Sequence, residues 1–508
     1  MKISYKSLFE SEAAKFATRE ADWRNGAIVY QVIVDRFAPS QDLAAKQHLY
    51  ADPRKLKNWD ETPARGYSLP EHYVWTHELD FWGGDLNSLR AKLDYIVGLG
   101  ADVLYLNPIH KAFTNHKYDA TDYMEVSPEY GTRDDLSALI QAAHTSNMKV
   151  VLDGVFNHMG RQSPIFQSAS KDSKSLYRDW FYFGEQFPRG VRLWANAPSL
   201  PELNFENFAV CNYIYGDPNS VVRSYLRQGI DGWRLDTAFE LGYQYLAELT
   251  TSAHTEKPGS LVVGEIWNYP QEWFPALDAV MNFTLRETLL QFLSGKLSPA
   301  MTGAFIMKLI ADAGIEPILK SWILLDNHDL PRLTTTLPDS RDRRLAQVLQ
   351  FTLPGSPNLY YGSELGMEGG EDPANRAPMR WDLLTPENEV LQWHKQLIQL
   401  HKTHRALRIG DYRTVLSEKL LAFERCTEKA AETLIIVANP AEEEVHEKLL
   451  VPDSRIMNGT HFVDLLGSTQ PSVLFSAILD VRVPPKSALV LQPQVGPFDG
   501  YTPYKRIP

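Results

Sequence analysis

The stretch IDGWRLD, residues 230–236, is an apolar, strand-like run that ends on a carboxylate. Three further runs of the same kind occur along the chain, VVLDGVFNH at 150–158, LVVGEIW at 261–267 and WILLDNHD at 322–329. A closed parallel barrel collects the C-terminal ends of all its strands at one mouth. The pattern therefore predicts one cleft that holds four acidic side chains, Asp153, Asp236, Glu265 and Asp329.

The length and composition describe a globular protein with more than one domain. The chain has 508 residues, of which 44% are hydrophobic and 22% charged. This length predicts one large domain and one or two smaller ones. The net charge of −12 argues against nucleic acid as a partner, because a phosphate backbone binds basic surfaces. Two cysteines, Cys211 and Cys426, are too few for a disulfide framework and favour a reducing compartment.

The N-terminal segment lacks the apolar run of a secretory signal. Glu10, Glu12 and Lys15 interrupt any such run. No stretch of the sequence is both long enough and apolar enough to cross a bilayer. We therefore expect a cytoplasmic protein with no membrane partner.

Strand-like runs alternate with helix-like segments along most of the chain. The predicted strands are 27–37, 101–109, 150–156, 229–236, 261–267, 276–283, 322–329 and 356–362. The clearest predicted helices are 85–100, with Asp85 or Asn87 as N-cap, 132–147, with Thr132 as N-cap, 220–228 and 386–402. Strand and helix units in this order predict an α/β fold, a (β/α)8 TIM barrel.

Two regions interrupt or follow the barrel pattern. The stretch 159–217 is long and irregular, and long loops in compact domains are rarely passive, so we expect an inserted small domain after strand three that walls one side of the cleft. Beyond about Ala406, short alternating strands without helices predict a C-terminal antiparallel β-sandwich. The predicted division is a barrel at 1–158 and 218–405, an inserted domain at 159–217, a sandwich at 406–493 and a tail at 494–508.

Several acids in one cleft without a basic cluster favour glycoside hydrolysis over phosphate chemistry. Cleaving an acetal needs a proton donor and, on the opposite face, a nucleophile or a base. Glu265 suits the donor role, because an apolar strand precedes it and Trp267 follows closely. Asp236 suits the nucleophile role, and Arg234, on the same face of the strand, is expected to hold it ionised.

Other polar residues in these runs suit contacts with a sugar. Asp329 could bind hydroxyls and stabilise positive charge on the ring, and His158 and His328 could donate to hydroxyls of the same sugar. Each motif also has an ordinary interpretation, since a single Asp at a strand end more often caps a helix. Four such motifs in barrel order, all at strand ends, argue against coincidence.

The motifs DGVFNH, GWRLDTAFE, GEIWN and LLDNHDLPR resemble the four signature regions of the α-amylase family of glycoside hydrolases. The segment LPELNFEN at 200–207 resembles a fifth short motif of that family. The resemblance implies a retaining mechanism on α-glucans, with Asp236 as nucleophile, Glu265 as acid/base and Asp329 as transition-state stabiliser. The substrate-binding residues predicted with it are Tyr118, which would stack under the sugar, Asp153, His158, Arg234, Glu240, His328 and Arg332.

Segments 81–89, 115–123, 277–283, 324–335 and 360–382 are similar to the cyclomaltodextrinase, neopullulanase and maltogenic amylase branch. Glu240 matches an acidic residue that this branch uses near the acceptor sugar. The resemblance implies hydrolysis of α-1,4 bonds in maltooligosaccharides and cyclodextrins, with some transglycosylation. The alternatives are an α-amylase acting mainly on starch, a predominant α-glucan transglycosylase, a non-catalytic carbohydrate-binding barrel and an unrelated barrel enzyme such as an aldolase.

The sequence departs from that branch in several places. The branch carries an N-terminal β-domain that dimerises and narrows the cleft, whereas the first predicted barrel strand here begins near Ala27, so we expect that domain to be missing. The oligomeric state, monomer or homodimer, and the preference for cyclic substrates therefore stay open. The signature reads TAFE rather than VANE, Leu330 replaces a Thr, and Asn268 replaces a His.

The resemblance also bears on calcium. Secreted α-amylases hold calcium with an Asn of the first signature region, domain residues and a His after the nucleophile. Asn157 is present here, but that His is not. Oxygen-rich calcium loops are not evident elsewhere. We therefore expect no required metal or other cofactor, with calcium as the alternative.

Overall fold

The computed structural model describes residues 5–467, 472–497 and 500–507. Its centre is a closed barrel of eight parallel strands. These are β1 (Val29–Val32), β2 (Val103–Leu106), β3 (Lys149–Gly154), β4 (Gly232–Leu235), β5 (Leu261–Ile266), β6 (Ala279–Asn282), β7 (Trp322–Leu324) and β8 (Ser356–Tyr360). Each strand pairs with its neighbours in chain order, and β1 closes the barrel by pairing with both β2 and β8. The predicted (β/α)8 barrel is confirmed.

The barrel strands are buried along their whole length, apart from the first residue of β3. Parallel strands with both faces covered read as continuous apolar runs, which is why the sequence revealed them. They are nevertheless shorter than predicted. The run 27–37 holds β1 and then a short helix, and β7 ends at Leu324, so Asp329 lies in a loop beyond the strand.

The helices surround the barrel and connect its strands. They are α1 (Tyr5–Ala21), α2 (Val34–Phe37), α3 (Leu86–Ala91), α4 (Leu93–Leu99), α5 (Arg133–Thr145), α6 (Pro164–Lys171), α7 (Phe208–Cys211), α8 (Val221–Gln228), α9 (Ala238–Leu241), α10 (Tyr243–Glu256), α11 (Phe283–Leu293), α12 (Pro299–Ala313), α13 (Ile315–Lys320), α14 (Leu333–Thr336), α15 (Ser340–Thr352), α16 (Glu389–Thr403) and α17 (Arg405–Ile409). None of the helices in the described residues is long and apolar enough to cross a membrane.

Local side chains start two of the predicted helices as expected. Thr132 caps α5 by accepting from the backbone N–H of Asp135, and Asp135 accepts from the N–H of Thr132 in return. Asp85 caps α3 by accepting from the N–H of Ser88 at 2.6 Å. The predicted helix 85–100 is divided, however, because Lys92 leaves the helical conformation and separates α3 from α4.

Helix α1 was not predicted from the sequence. Its Arg19 is buried and forms ion pairs with Glu316 at 2.6 Å and Asp411 at 2.8 Å. Glu316 belongs to α13 of the barrel, and Asp411 opens the C-terminal sheet. The helix therefore ties the barrel to the C-terminal domain.

The region after the barrel is an antiparallel sheet, as predicted. Its strands in the described residues are β9 (Asp411–Val415), β10 (Leu421–Cys426), β11 (Leu434–Asn439), β12 (Val445–Leu450), β13 (His461–Asp464), β14 (Ser472–Phe475), β15 (Ile478–Val483) and β16 (Ser487–Pro493). They follow the order β9-β10-β11-β16-β13-β14-β15-β12 and enclose their own apolar core. In the tail, the hydroxyl of Tyr504 accepts from the backbone N–H of Met457 at 2.9 Å, so the tail contacts this domain.

Candidate active site

The C-terminal ends of the barrel strands open into a cleft of about 470 Å³. Asp236, Glu265 and Asp329 all line it, as do Tyr118 and His158. The residues come from the ends of β4 and β5, from the loop after β7 and from the segments after β2 and β3. The structure thus brings three of the four predicted acids into the cleft, whereas Asp153 is buried and does not line it.

A buried guanidinium organises the floor of the cleft. The side chain of Arg234 is fully buried, and its Nη1 lies 2.9 Å from Asp153 and 3.1 Å from Asp236. Its Nη2 lies 3.0 Å from Oε2 of Glu265. Arg234 and Asp236 are two positions apart on β4 and its end, so both point into the barrel mouth. One cation therefore holds three carboxyl groups in fixed positions.

Burial opposes the effect of this single positive charge on the pKa of Asp236 and of Asp153. Burial, and next the charge of Glu265, raise the pKa of Asp236 well above its usual range, and the opposing effect of Arg234 is smaller. Burial likewise raises the pKa of Asp153 despite its contact with Arg234. Arg234 thus lowers the pKa of Asp236, in the expected direction, but its effect is smaller than that of burial and of Glu265.

Two nearby N–H groups orient Glu265. The backbone N–H of Thr237 donates to its Oε2 at 2.8 Å, and the indole of Trp267 donates to its Oε1 at 2.9 Å. Thr237 has φ +41° and ψ +44°, a left-handed conformation that is rare for a β-branched residue. This unusual turn directly after Asp236 aims the N–H at Glu265 and so links the two acids through the backbone.

Tyr118 and His328 form a stacked pair against the opposite wall. Their ring centres are 5.5 Å apart and their planes differ by 4°. The Tyr118 hydroxyl bonds with His328 Nε2, accepts from Asn107 at 3.1 Å and lies 3.1 Å from Asp153. The amide of Gln31 donates to His328 Nδ1 at 2.9 Å, which leaves the ring proton on Nε2. Burial lowers the pKa of His328, so this ring is a neutral donor.

The position of Tyr118 depends on a hairpin that follows β2. The strands His110–Ala112 and Ala120–Val126 pair, and Tyr118 lies in the connection between them. Lys117, just before it, adopts φ +65° and buries its ammonium group against Glu129. This buried ion pair fixes the turn that presents the Tyr118 ring to the cleft.

Arg376 is a cleft residue that the sequence reasoning did not single out. Its Nη2 lies 3.2 Å from Asp329, and its Nε donates to the carbonyl of His328 at 2.8 Å. Asp329 also lies 3.0 Å from His328 Nε2, and burial raises the pKa of Asp329. Arg376 lies in an irregular stretch without periodicity. The resemblance of segment 360–382 to the family branch did not single out this residue.

The wall formed by the inserted region carries His158 and Trp194. Their rings stack at 5.2 Å, and burial lowers the pKa of His158 to about 3, so the imidazole is neutral. Its Nε2 has no hydrogen-bonding partner in the described chain. The Trp194 indole donates to Glu240 at 3.1 Å, which places Glu240 at the exposed rim. Trp194 was also missed, because it lies in an irregular stretch with no local signal.

Arg332 lies outside the cleft, which corrects its prediction as a substrate contact. Its guanidinium is fully buried and donates to the backbone carbonyls of Asn375 and Tyr361. A side chain in this position cannot reach a ligand. It instead supports the loop that carries Arg376.

Asn157, the residue suggested by the calcium comparison, has protein contacts. Its backbone carbonyl accepts from the N–H of Leu203 at 3.0 Å, and its side-chain amide nitrogen lies 3.4 Å from His158 Nδ1. Within residues 5–467, 472–497 and 500–507, no three His, Cys, Asp or Glu side chains are grouped so that they could hold a metal ion.

The profile of the family described as 'Alpha amylase, catalytic domain' matches residues 31–385. The chain belongs to the α-amylase family. It is 32% identical to a cyclomaltodextrinase of a Bacillus species over 464 residues, which cover 88% of this chain and 77% of that protein. It is also 32% identical to neopullulanase 2 of Thermoactinomyces vulgaris over 470 residues, which cover 89% of this chain and 75% of that protein.

A solved structure agrees with this assignment. The ligand-free cyclic α-maltosyl-(1→6)-maltose hydrolase of Arthrobacter globiformis matches with a TM-score of 0.77 and 26% identity, over 93% of this chain and all of that one. The protein described by these 508 residues is a glycoside hydrolase of the cyclomaltodextrinase type. The resemblance predicted from the signature regions is confirmed. The cleft of this protein combines a cluster of carboxyl groups on one cation with a wall of neutral aromatic and imidazole groups.

Proposed function

We propose that this glycoside hydrolase cleaves α-1,4-glucosidic bonds of maltooligosaccharides and cyclodextrins with retention of configuration. The observation that carries the proposal is the placement of Asp236 and Glu265 on the two terminal nitrogens of the buried Arg234 guanidinium. A retaining glycosidase needs its two carboxyl groups roughly 5–5.5 Å apart, closer than an inverting enzyme allows. Two carboxylates on one planar guanidinium suit the shorter separation.

In the first step, Asp236 attacks the anomeric carbon while Glu265 gives a proton to the glycosidic oxygen. The bond from the anomeric carbon to that oxygen breaks, and a covalent glycosyl ester forms on Asp236. In the second step, Glu265 takes a proton from water, the water oxygen attacks the same carbon, and Asp236 leaves as a carboxylate. Burial and the charge of Glu265 raise the pKa of Asp236 in the ligand-free site, so the two carboxyl groups titrate as a coupled pair.

Neutral donors on the opposite wall suit the glucose unit that carries the cleaved bond. The Tyr118 ring would lie under that sugar, and Nε2 of His158 would donate to one of its hydroxyls. His328, whose Nε2 proton is bonded to the Tyr118 hydroxyl, would hold that ring in place. Asp329, held by Arg376 and His328, would bind hydroxyls and stabilise the positive charge that develops on the ring.

The leaving-group side suits the remaining part of an α-glucan. Trp194 and Glu240 form a hydrogen-bonded pair at the rim, where the acceptor sugar would lie. The names of the two relatives, cyclomaltodextrinase and neopullulanase, support cyclic and linear α-glucans as substrates. Transfer to a sugar in place of water would give transglycosylation at the same site.

The remaining parts of the proposal concern cofactor and compartment. We expect catalysis without a metal or other cofactor, because every step above uses side chains of this chain. We also expect the enzyme to act in the cytoplasm, where Cys211 and Cys426, both buried and unpaired, would stay reduced.

Initial rates on γ-cyclodextrin, soluble starch and pullulan, at equal concentration of glucose units, test the substrate assignment. Products are separated by chain length. Fast opening of cyclodextrin with slower attack on starch would support the proposal. A preference for starch would instead indicate an α-amylase acting mainly on the polymer, and products longer than the substrate would indicate a transglycosylase.

A further inference from the structure

A second groove begins where the catalytic cleft ends. It has a volume of about 750 Å³ and lies between the segment after β5, the first turns of α11 and the exposed side of α12. Trp267 lines both the cleft and this groove. Its indole N–H contacts Glu265, and its ring stacks on Phe283 at 3.8 Å with 16° between the planes. The groove and the cleft therefore adjoin at one aromatic residue.

The groove lies on the leaving-group side of the proposed reaction. The proton donor stands beside the oxygen that departs, so whatever follows that oxygen in the substrate passes Glu265 and reaches Trp267. Tyr118, His328 and Asp329 belong to the other side, because they surround the sugar that forms the covalent ester. A glucan chain extended past the cleaved bond would enter the groove.

The groove presents aromatic faces to solvent. Trp267 is 47% exposed, Tyr269 is 40% exposed and Phe305 is 47% exposed. The Tyr269 hydroxyl donates to Asp312 of α12 at 2.7 Å, so the ring is held in place rather than free to fold inward. Exposed and fixed aromatic rings offer large apolar faces at low conformational cost. Such faces match the apolar faces of pyranose rings.

A buried cation provides unused hydrogen-bond donors in the same groove. Arg286 is 8% exposed, and its Nε donates to the carbonyl of Leu325 at 2.8 Å. Its two terminal nitrogens have no hydrogen-bonding partner among the described residues, and Arg286 lines the groove. These donors therefore stay accessible from the groove, where oxygens of a ligand could accept from them. Glu287 next to it favours a neutral hydroxyl ligand over an anion.

We infer that this groove binds the acceptor-side glucose units of a long α-glucan, beyond the sugar that contacts Trp267. The inference rests on the proposed function, since that function defines the acceptor side. Aromatic faces at Tyr269 and Phe305 take up the rings, and Arg286 donates to their hydroxyls. The groove then sets how strongly the enzyme prefers long substrates over short ones.

The test compares Phe305→Ala with Met307→Ala. Met307 is 52% exposed on the same helix but does not line the groove, so it is a matched control. kcat/KM is measured on maltoheptaose and on 4-nitrophenyl α-maltoside, whose leaving group is a single ring. Phe305→Ala should lower kcat/KM for maltoheptaose about fivefold and leave that for the nitrophenyl substrate unchanged. Met307→Ala should change neither.

Other outcomes overturn the inference. They are an equal loss on both substrates, no loss on either, or an equal loss in both variants. Light scattering adds a further check, because a smaller mass for Phe305→Ala would mean that the groove is covered by a second copy of the chain. If the wild type cleaves neither substrate, the proposed function fails. Binding of maltoheptaose is then measured by calorimetric titration. Weaker binding by Phe305→Ala than by the wild type supports the inference, and equal binding rejects it.

Discussion

The two sides of the barrel mouth differ in how much of their surface is already paired within the protein. On the sugar side, Tyr118, His328 and Asp329 are held by hydrogen bonds to buried neighbours. On the leaving-group side, Trp267 and Phe305 are nearly half exposed and offer mainly ring faces. Under the proposed function, one glucose unit would meet a preorganised polar site, whereas the units after it would meet a surface that tolerates different lengths and ring forms.

The largest expected effect lies at the point where the two sides meet. Asp236→Asn keeps the size of the side chain but removes the nucleophile, so kcat should fall by about 10⁴-fold or more on every substrate. Asp94→Asn, at an exposed carboxylate of α4 away from the cleft, serves as the control and should retain activity. A variant of Asp236 with substantial activity on maltoheptaose would contradict the assignment.

Glu265→Gln tests the transfer of a proton to the leaving group. It should lower kcat on maltooligosaccharides by about 10²–10⁴-fold, because the leaving oxygen then receives no proton. The loss of kcat/KM should be much smaller on α-maltosyl fluoride, since fluoride leaves without a proton, whereas kcat should stay low because the second step needs Glu265 as base. Removing the charge of Glu265 also lowers the pKa of Asp236, so the acidic limb of kcat/KM for the fluoride should move to lower pH. An unchanged limb would show that Glu265 does not act on Asp236.

Tyr118→Phe tests the sugar side alone. The change removes the hydroxyl that bonds with Asn107, Asp153 and His328 while keeping the ring. We expect kcat/KM to fall by about tenfold to the same degree on short and long substrates. Tyr67→Phe, at an exposed tyrosine, is the control. A loss confined to long substrates would contradict the placement of Tyr118 on the sugar side.

A smaller effect concerns stability. Because the pKa of Asp236 is raised in the folded state, the native protein binds this proton more tightly than the unfolded chain. The free energy of unfolding therefore decreases as the pH rises above the unfolded pKa of Asp236. Asp236→Asn removes this penalty and should therefore raise the free energy of unfolding at pH 7. The gain, measured by urea unfolding, should disappear below the unfolded pKa, and a gain that is equal at both pH values would contradict this account.

The smallest expected effect is that of a chelator. If both sides work through protein groups alone, dialysis against EDTA should leave kcat/KM on γ-cyclodextrin unchanged, and added calcium should not raise it. Loss of activity that calcium restores would show that a metal supports the site.

The fold and most of the cleft could be predicted because their signals are local. Strands buried on both faces produce apolar runs, and each run is followed closely by its functional residue, as in β4 and Asp236. Helix α1 lacked such a signal, because its position depends on ion pairs of Arg19 with residues far along the chain. Its sequence is also charged and weakly amphipathic.

The two arginines after β7 show the limit more sharply. Arg332 is the last residue of a signature motif, yet it is buried against backbone carbonyls. Arg376, in an irregular segment, contacts Asp329. Sequence proximity to a motif does not determine which side of a loop faces the cleft. The same holds for Trp194, which reaches the site through the irregular inserted region. The sharing of Arg234 among carboxyl groups likewise became visible only in three dimensions.

Trapping the covalent intermediate tests the central assignment most directly. Glu265→Gln is incubated with α-maltotriosyl fluoride, and the intact protein and its peptides are weighed by mass spectrometry. We expect one maltotriosyl adduct on the peptide that contains Asp236. An adduct on a different carboxylate, or a first product of wild-type hydrolysis with β configuration by NMR, would contradict it.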